Sequence, residues 1–412
     1  MSLDDVETRL RDAIARRGDA LYRDLEMAVA IPTGGRHRVG LDELRGVVGR
    51  RLSALGAALA EKPGDARPSW LALPDDPPDV DVPPTLIASR LARDGPRVLL
   101  AGHLDTVHDP RGPFRTLTRE SDLVCRGPGA VDMKGGVVIA LHALEAIADA
   151  GIALRWSFLL NSDEETGSFH SARHLEDAAR DHDVGIALEP AAEGGGLVVA
   201  RMGTGQFRID CGGRAAHVGR DFAKGVSAVT ALARAVLDLS ALADPSKGRI
   251  VNVGPLVGGR VTNAVPDRAS AWGNVRFADD ATARELAARF DALDTGADAM
   301  PSVRVRHAFN RPAKPTTPEV ERFALGVRAV AEALGQSLPF ATTGGVCDGN
   351  ILQSVGLPTL DTLGVRGGNL HRTDEWVEIP SLVERCQLLA ITLRRIASGA
   401  IAARGKSAPR SA

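Results

Sequence analysis

The chain has 412 residues, 44% hydrophobic and 25% charged, a globular mixture too long for a single core, so two domains are expected. Lys and Arg number 50 against 52 Asp and Glu, a formal net charge of -2, which excludes the strong basic excess of a nucleic-acid or membrane-surface binder. Four scattered cysteines (Cys125, Cys211, Cys347, Cys386) form no CxxC pair, which excludes a thiolate zinc knot and fits reduced, buried thiols. The first 32 residues are charged throughout and lack the apolar segment of a secretory signal. No apolar run approaches the ~20 residues needed to cross a bilayer. A cytoplasmic location is therefore the expectation.

In chain order, apolar residues at helical spacing predict an opening helix over 3–30, broken by Pro32-Thr33-Gly34-Gly35. A second helix is predicted over 41–59, and the Pro- and Asp-rich stretch 62–84 reads as irregular. Residues 97–102 form a continuous apolar run, the pattern of a buried parallel strand. A helix over 135–150 and strands over 154–160 and 184–188 follow, and this alternation predicts a mostly parallel sheet flanked by helices.

The texture changes after Glu193-Gly194-Gly195-Gly196. An alternating strand over 206–211, a helix over 226–242, strands over 250–253 and 268–277, a helix over 281–293 and a strand over 303–309 spell βαββαβ. From 318 the α/β pattern resumes to about 397. The expected division is one discontinuous α/β domain over 1–195 and 314–400, an inserted α+β domain over 196–313, and a disordered tail over 401–412.

Five segments carry chemistry. Gly102-His103-Leu104-Asp105-Thr106-Val107 follows a buried strand, where ligands of open α/β sheets collect. Side chains two apart in extended chain share a face, so His103 and Asp105 point the same way, and a carboxylate behind an imidazole fixes its tautomer. A hydrogen-bonded core histidine explains the pair as well. Gly127-Pro128-Gly129-Ala130-Val131-Asp132-Met133-Lys134-Gly135-Gly136 precedes a helix, where Asp132 is either an N-cap or a carboxylate crowded by glycine backbone. Asn161-Ser162-Asp163-Glu164-Glu165-Thr166-Gly167 is either a solvated acidic turn or a site in which one Glu binds metal and its neighbour is a general base. Ala187-Leu188-Glu189-Pro190 ends another strand, and Asn369-Leu370-His371-Arg372-Thr373-Asp374-Glu375 lies far along the chain.

Together, in this order and spacing, the five segments resemble the zinc metallopeptidase family of glutamate carboxypeptidase, acetylornithine deacetylase, succinyl-diaminopimelate desuccinylase and the aminoacylases. The resemblance covers nearly the whole chain and is nearest to the glutamate-carboxypeptidase-like branch. It implies that Asp132 bridges two zinc ions, with cobalt or manganese as substitutes. His103 and Glu189 would complete one ion's ligands, and Glu165 and His371 the other's. Asp105 would hold His103, and Glu164 would serve as general base. The peptide after Asp132 would be cis.

In the insert, Gly213-Arg214-Ala215-Ala216-His217-Val218-Gly219 resembles the family segment whose His stabilises the oxyanion of a partner's site, so a homodimer through the insert is implied. An edge-strand His capping a turn is the plain alternative. Asn263 would donate to substrate or oxyanion, also in trans. Arg276 would receive a substrate carboxylate, for which a planar fork is suited, although an ion-paired surface arginine competes. Gly344 and Gly345 sit in a loop that resembles the one beside the substrate. Cys347 stands where a Ser or Thr is usual, and packing beside the pocket is favoured for it. Arg366 and Arg372 are left between carboxylate partners and supporting roles.

The expected activity is hydrolysis of an amide in an N-acyl amino acid or small peptide-like substrate with a free carboxylate. An N-carbamoyl amino acid or allantoate-like amidohydrolase is the alternative. A non-catalytic metal-dependent binding protein is the alternative from another class.

Overall fold

The computed structural model describes residues 2–34, 37–73, 83–91 and 94–402. The expectations for 74–82 and for the tail from 403 lie outside these residues; Ile401, within the expected tail, is buried.

Six strands form the main sheet, in the order Ala58–Lys62, Thr85–Arg90, Arg155–Asn161, Arg97–His103, Val184–Ala187, Thr359–Leu360. The last four run parallel, and the first two add antiparallel at one edge. Val98 through Ala101 are fully buried, as their unbroken apolar run requires of a strand covered on both faces. The helix Gly135–Asp149 is buried along almost its whole length, against Ile379–Ala397 on one side.

Two predicted elements differ. The opening helix is two, Asp5–Ala15 and Gly18–Ala30. Asp4 and Glu7 cap the first reciprocally, at 2.9 and 3.2 Å. At the break, Arg17 turns to Glu145 and Asp149, 3.1 and 2.5 Å away. The helix predicted over 41–59 runs Arg38–Ala54, and Ala58–Lys62 is instead an exposed edge strand. Its exposed pattern carries no periodic signal, so only pairing with Thr85–Arg90 reveals it.

The inserted βαββαβ unit is a four-stranded antiparallel sheet in the order Arg249–Gly258, Arg268–Phe277, Gly203–Gly212, Ser302–Arg311. Helices Ala228–Ser240 and Asp280–Asp291 pack on it over a second core that includes Phe207, Ile209, Leu232, Leu239 and Phe290. The strand Leu197–Arg201 pairs with Phe340–Thr343, in parallel, outside this sheet. A strap at 67–73 joins the two bodies: Trp272 donates Nε1–H to the Ala72 carbonyl at 3.1 Å, and the Arg208 guanidinium lies 4.7 Å over the Trp272 ring.

Candidate metal centre

Strand register brings the first motifs together. His103 pairs with Asn161 at the carboxyl ends of neighbouring parallel strands, so the turn carrying Glu164 and Glu165 starts beside the imidazole. Leu188 N–H donates to the Ala101 carbonyl, which sets Glu189 on the other side of the same strand end. Asp132 arrives from the loop before Gly135–Asp149. There Gly129 adopts φ 69°, and a Cβ on it would meet the Thr106 methyl at 2.5 Å, so only glycine fits. The Asp132–Met133 peptide is cis.

Asp132 faces two histidines with different oxygens. His103 Nε2 lies 3.2 Å from Oδ1, and His371 Nε2 lies 3.5 Å from Oδ2 and 3.2 Å from Glu165 Oε2. His371 holds φ 65°, a left-handed conformation sparsely populated outside glycine. His103, Asp132 and Glu165 each bring a ligand atom within 4.8 Å of the others. Glu189 lines the same cleft.

Asp105 does more than expected. His103 Nδ1 is nearer to the Asp105 carbonyl, at 2.9 Å, than to its carboxylate, at 3.5 Å. The carboxylate oxygens instead accept the amides of Glu164 and Glu165 at 3.2 and 3.0 Å, anchoring the acidic turn to the histidine loop.

The electrostatics call for added positive charge. Burial, joined by the charges of Asp348 and Glu165, outweighs the attraction of Arg311 and His103 and raises the Glu164 carboxyl to about 8. Burial and the charge of Glu164 push Glu189 up as well. Burial likewise raises Glu165, against its hydrogen bond with His371. For Asp132, hydrogen bonds from His103 and His371 overcome burial and hold its carboxyl well below the usual range. Bonds to Asp132 and Glu165 lift His371 to about 10. Two imidazoles among at least four buried carboxylates are a donor set suited to divalent cations, and cations there would relieve the repulsion.

The cleft between the two sheets has a volume of about 1240 Å³ and includes Glu164, Glu165, Glu189, Arg276, Gly345 and His371 in its wall. Arg276 reaches it with Nη1 buried and no hydrogen-bond partner; burial and the charge of Arg311 lower its pKa. Gly344 is exposed beside Gly345 and outside the wall. His217 and Asn263 are also exposed and do not line the cleft of their own chain. They are neighbours, since Val218 N–H donates to the Asn263 carbonyl at 3.0 Å. Cys347 is buried and caps the helix Asp348–Ser354, accepting the Gly349 amide at 3.3 Å. Arg366 is held by Glu378 and Glu384 at 2.8 and 2.5 Å, and Arg372 by Asp374 at 2.9 Å, so both are committed to ion pairs.

Two residues escaped the sequence reading. Arg311 Nη2 lies 2.7 Å from Glu164 Oε1 and donates to the Glu164 carbonyl and Ser168 Oγ at 2.8 and 2.6 Å. Asp348, which accepts from Ser168 Oγ and Asn161 Nδ2 at 2.5 and 2.6 Å, is 3.6 Å from the same guanidinium. Glu375 stands in the segment quoted for His371, yet nothing in its spacing signals the four contacts that it makes.

A carboxylate shared by two imidazoles, backed by further buried carboxylates at the ends of parallel strands, defines a metal-dependent hydrolase. Residues 99–395 match the sequence profile of Peptidase family M20/M25/M40, and the chain belongs to that family. Carboxypeptidase G2 of Pseudomonas sp. (strain RS-16) is 26% identical over 393 residues, spanning 92% of this chain and 90% of its own. A succinyl-diaminopimelate desuccinylase of Methylobacterium radiotolerans is 30% identical over 366 residues, spanning 82% and 87%. Among solved structures, aminopeptidase PepT of Bacillus cereus superposes with a TM-score of 0.72 at 22% identity, over 92% of this chain and 99% of its own. Among the described residues, no helix is long and apolar enough to cross a membrane.

Proposed function

We propose that this enzyme hydrolyses an amide bond in an N-acyl amino acid or small peptide-like substrate that carries a free carboxylate, with two zinc ions as its cofactor. The observation that carries this reading is Asp132, with one oxygen turned to His103 and the other to His371. His103 and Glu189 would hold one ion, Glu165 and His371 the other, and Asp132 would belong to both. When bound, such a pair polarises an amide carbonyl and lowers the pKa of a water between the ions. Cobalt or manganese would suit the same donors.

The chain's own groups supply the rest. Glu164 takes a proton from the attacking water on its carboxylate and delivers it to the departing nitrogen. In the metal-free chain burial keeps this carboxyl protonated at neutral pH, and cations bound beside it would lower it again and free the carboxylate to act as base. Asp105 keeps Glu164 and Glu165 in register with His103. Arg276, with Nη1 unpaired in the cleft, receives the substrate carboxylate, and the Gly344–Gly345 loop lies alongside. The names of the two sequence relatives, a carboxypeptidase and a desuccinylase, favour an amide next to a carboxylate.

In this reading the βαββαβ unit, the expected 196–313 segment less the strand Leu197–Arg201, is a lid over the cleft. It also carries the dimer contact. Phe222 and Val261, near His217 and Asn263 in the sequence, are exposed, as are Leu256 and Val257 on the outer strand Arg249–Gly258. A second copy on this face would cover them and bring His217 and Asn263 to the partner's cleft. Four buried, unpaired cysteines support a reducing, cytoplasmic setting.

The test is a screen of zinc-loaded protein against N-acyl amino acids, their carboxyl-amidated forms and N-carbamoyl amino acids. Hydrolysis confined to substrates with the free carboxylate is expected. Equal turnover of amidated forms would overturn the Arg276 assignment, and ammonia release from the N-carbamoyl compounds alone would overturn the acyl one. For the trans histidine, mixed His217→Ala and Glu164→Ala proteins should regain about a quarter of wild-type activity after statistical subunit exchange. Demonstrated exchange without recovery refutes the shared site.

A further inference from the structure

Glu375 joins three loops of the centre through one side chain that is 1% exposed. Its Oε1 accepts the amides of Val131 and Asp132 at 2.8 and 3.1 Å. Its Oε2 accepts the Gly129 amide at 3.1 Å and lies 2.6 Å from His108 Nε2. Its backbone continues the pattern. The Gly127 amide donates to the Glu375 carbonyl at 3.1 Å, and the Glu375 amide donates to the Arg372 carbonyl at 3.1 Å. One residue thus ties the loop of Asp132, the loop that leaves His103 and Asp105, and the loop that begins at His371.

Three amides converging on a buried carboxylate make an anion nest. Other bonds in the loop leave these amides to Glu375, because the Ala130 and Lys134 amides already donate to the Gly127 and Gly129 carbonyls. The peptide plane that leads into Asp132 therefore has its orientation set by Glu375 Oε1, and the Asp132 carboxylate hangs from that plane.

We propose that Glu375 is the positioning residue that places Asp132 between the two cation positions, so that metal affinity depends on the Glu375 carboxylate. The proposal rests on the reading of Asp132 as the shared ligand. Glu375 touches neither substrate nor metal and acts through the 129–132 backbone. A glutamine keeps the volume but replaces one acceptor oxygen with an NH2 group. That group must face either the two amides at Oε1 or the Gly129 amide at Oε2, so at least one buried donor loses its partner. Losing a partner that orients a metal ligand weakens metal affinity by roughly 10- to 100-fold.

The experiment is a zinc titration of full-length wild type and Glu375→Gln against a chromophoric chelator. It is paired with the visible spectrum of the cobalt forms and the melting temperature of the metal-free forms. The expected result is two ions in wild type, and zinc binding weakened by roughly 10- to 100-fold with an altered cobalt band in Glu375→Gln. Wild-type affinity and spectrum in Glu375→Gln, whatever its melting temperature, would reduce the residue to a structural role and overturn the proposal. Should Glu375→Gln not fold, Glu375→Asp serves: it keeps the charge but draws the carboxylate back by one methylene from the three amides. A several-fold weaker affinity supports the proposal, and unchanged affinity overturns it. Failure of the metal reading itself appears separately, as a wild type that takes up no zinc.

Discussion

Glu164→Gln separates the chemistry of the base from its electrostatic cost to the fold. In the metal-free enzyme, burial holds the Glu164 carboxyl at about 8, against 4.5 for an ordinary glutamate. Above pH 4.5 the unfolded chain has lost this proton, while the folded chain keeps it until about pH 8. Folding then takes up one proton, and stability must fall by about 1.4 kcal/mol per pH unit through this window. From 4.5 to about 8 the loss attributable to Glu164 is on the order of 5 kcal/mol. Glutamine does not titrate and lacks this slope. Glu189, which the charge of Glu164 helps to raise, titrates differently in the variant, so the difference between the two slopes reports Glu164 together with its effect on Glu189. The offset between the curves does not isolate it, because Arg311 loses the charge of its partner 2.7 Å away. The assay is urea unfolding of chelator-treated wild type and Glu164→Gln at intervals from pH 5 to 8. The variant should gain on wild type steadily with pH, while its zinc-loaded form loses hydrolysis by several orders of magnitude. Parallel stability curves would refute the claim that Glu164 keeps a proton through burial. Retained hydrolysis would refute its role as base.

Two further outcomes follow from the charges in the cleft. His371, lifted to about 10 by Asp132 and Glu165, carries a proton in the metal-free enzyme that a metal ligand must give up. Zinc uptake near pH 7 should therefore release protons and tighten as pH rises, which calorimetry in buffers of different ionisation enthalpy checks. Uptake without proton release would sink the assignment. Arg276→Ala should raise KM by roughly 10- to 150-fold for carboxylate-bearing substrates, since a charge-assisted contact is worth roughly 1.5–3 kcal/mol. Stability should barely change, because its Nη1 has no partner to lose. An equal loss on an amidated substrate would contradict the carboxylate role.

The loops of His103, Glu164, Glu165 and Glu189 were legible because each follows a strand whose apolar run is itself a local signal. Residues 97–102 announce His103 and Asp105, and 154–160 announce Glu164 and Glu165. The alternation of the insert likewise reads directly as a half-buried sheet, and the Gly203–Gly212 strand alternates in burial as written. The edge strand Ala58–Lys62 was not legible, since all five of its residues are exposed and alternation is lost.

By itself the sequence determined the α/β frame, the insert and the identity of the groups that face one another. Hydrophobic period and strand-end position are encoded within a few residues. The tertiary structure alone decided how these groups are balanced. Arg311 meets Glu164 across 147 positions, and Glu375 meets Val131 across 244. It also decided that Arg366 and Arg372 are consumed in ion pairs, whereas Arg276 keeps Nη1 unpaired in the cleft. Charge compensation and backbone anchoring depend on which distant atoms come within about 3 Å, and no local pattern of residues specifies that distance.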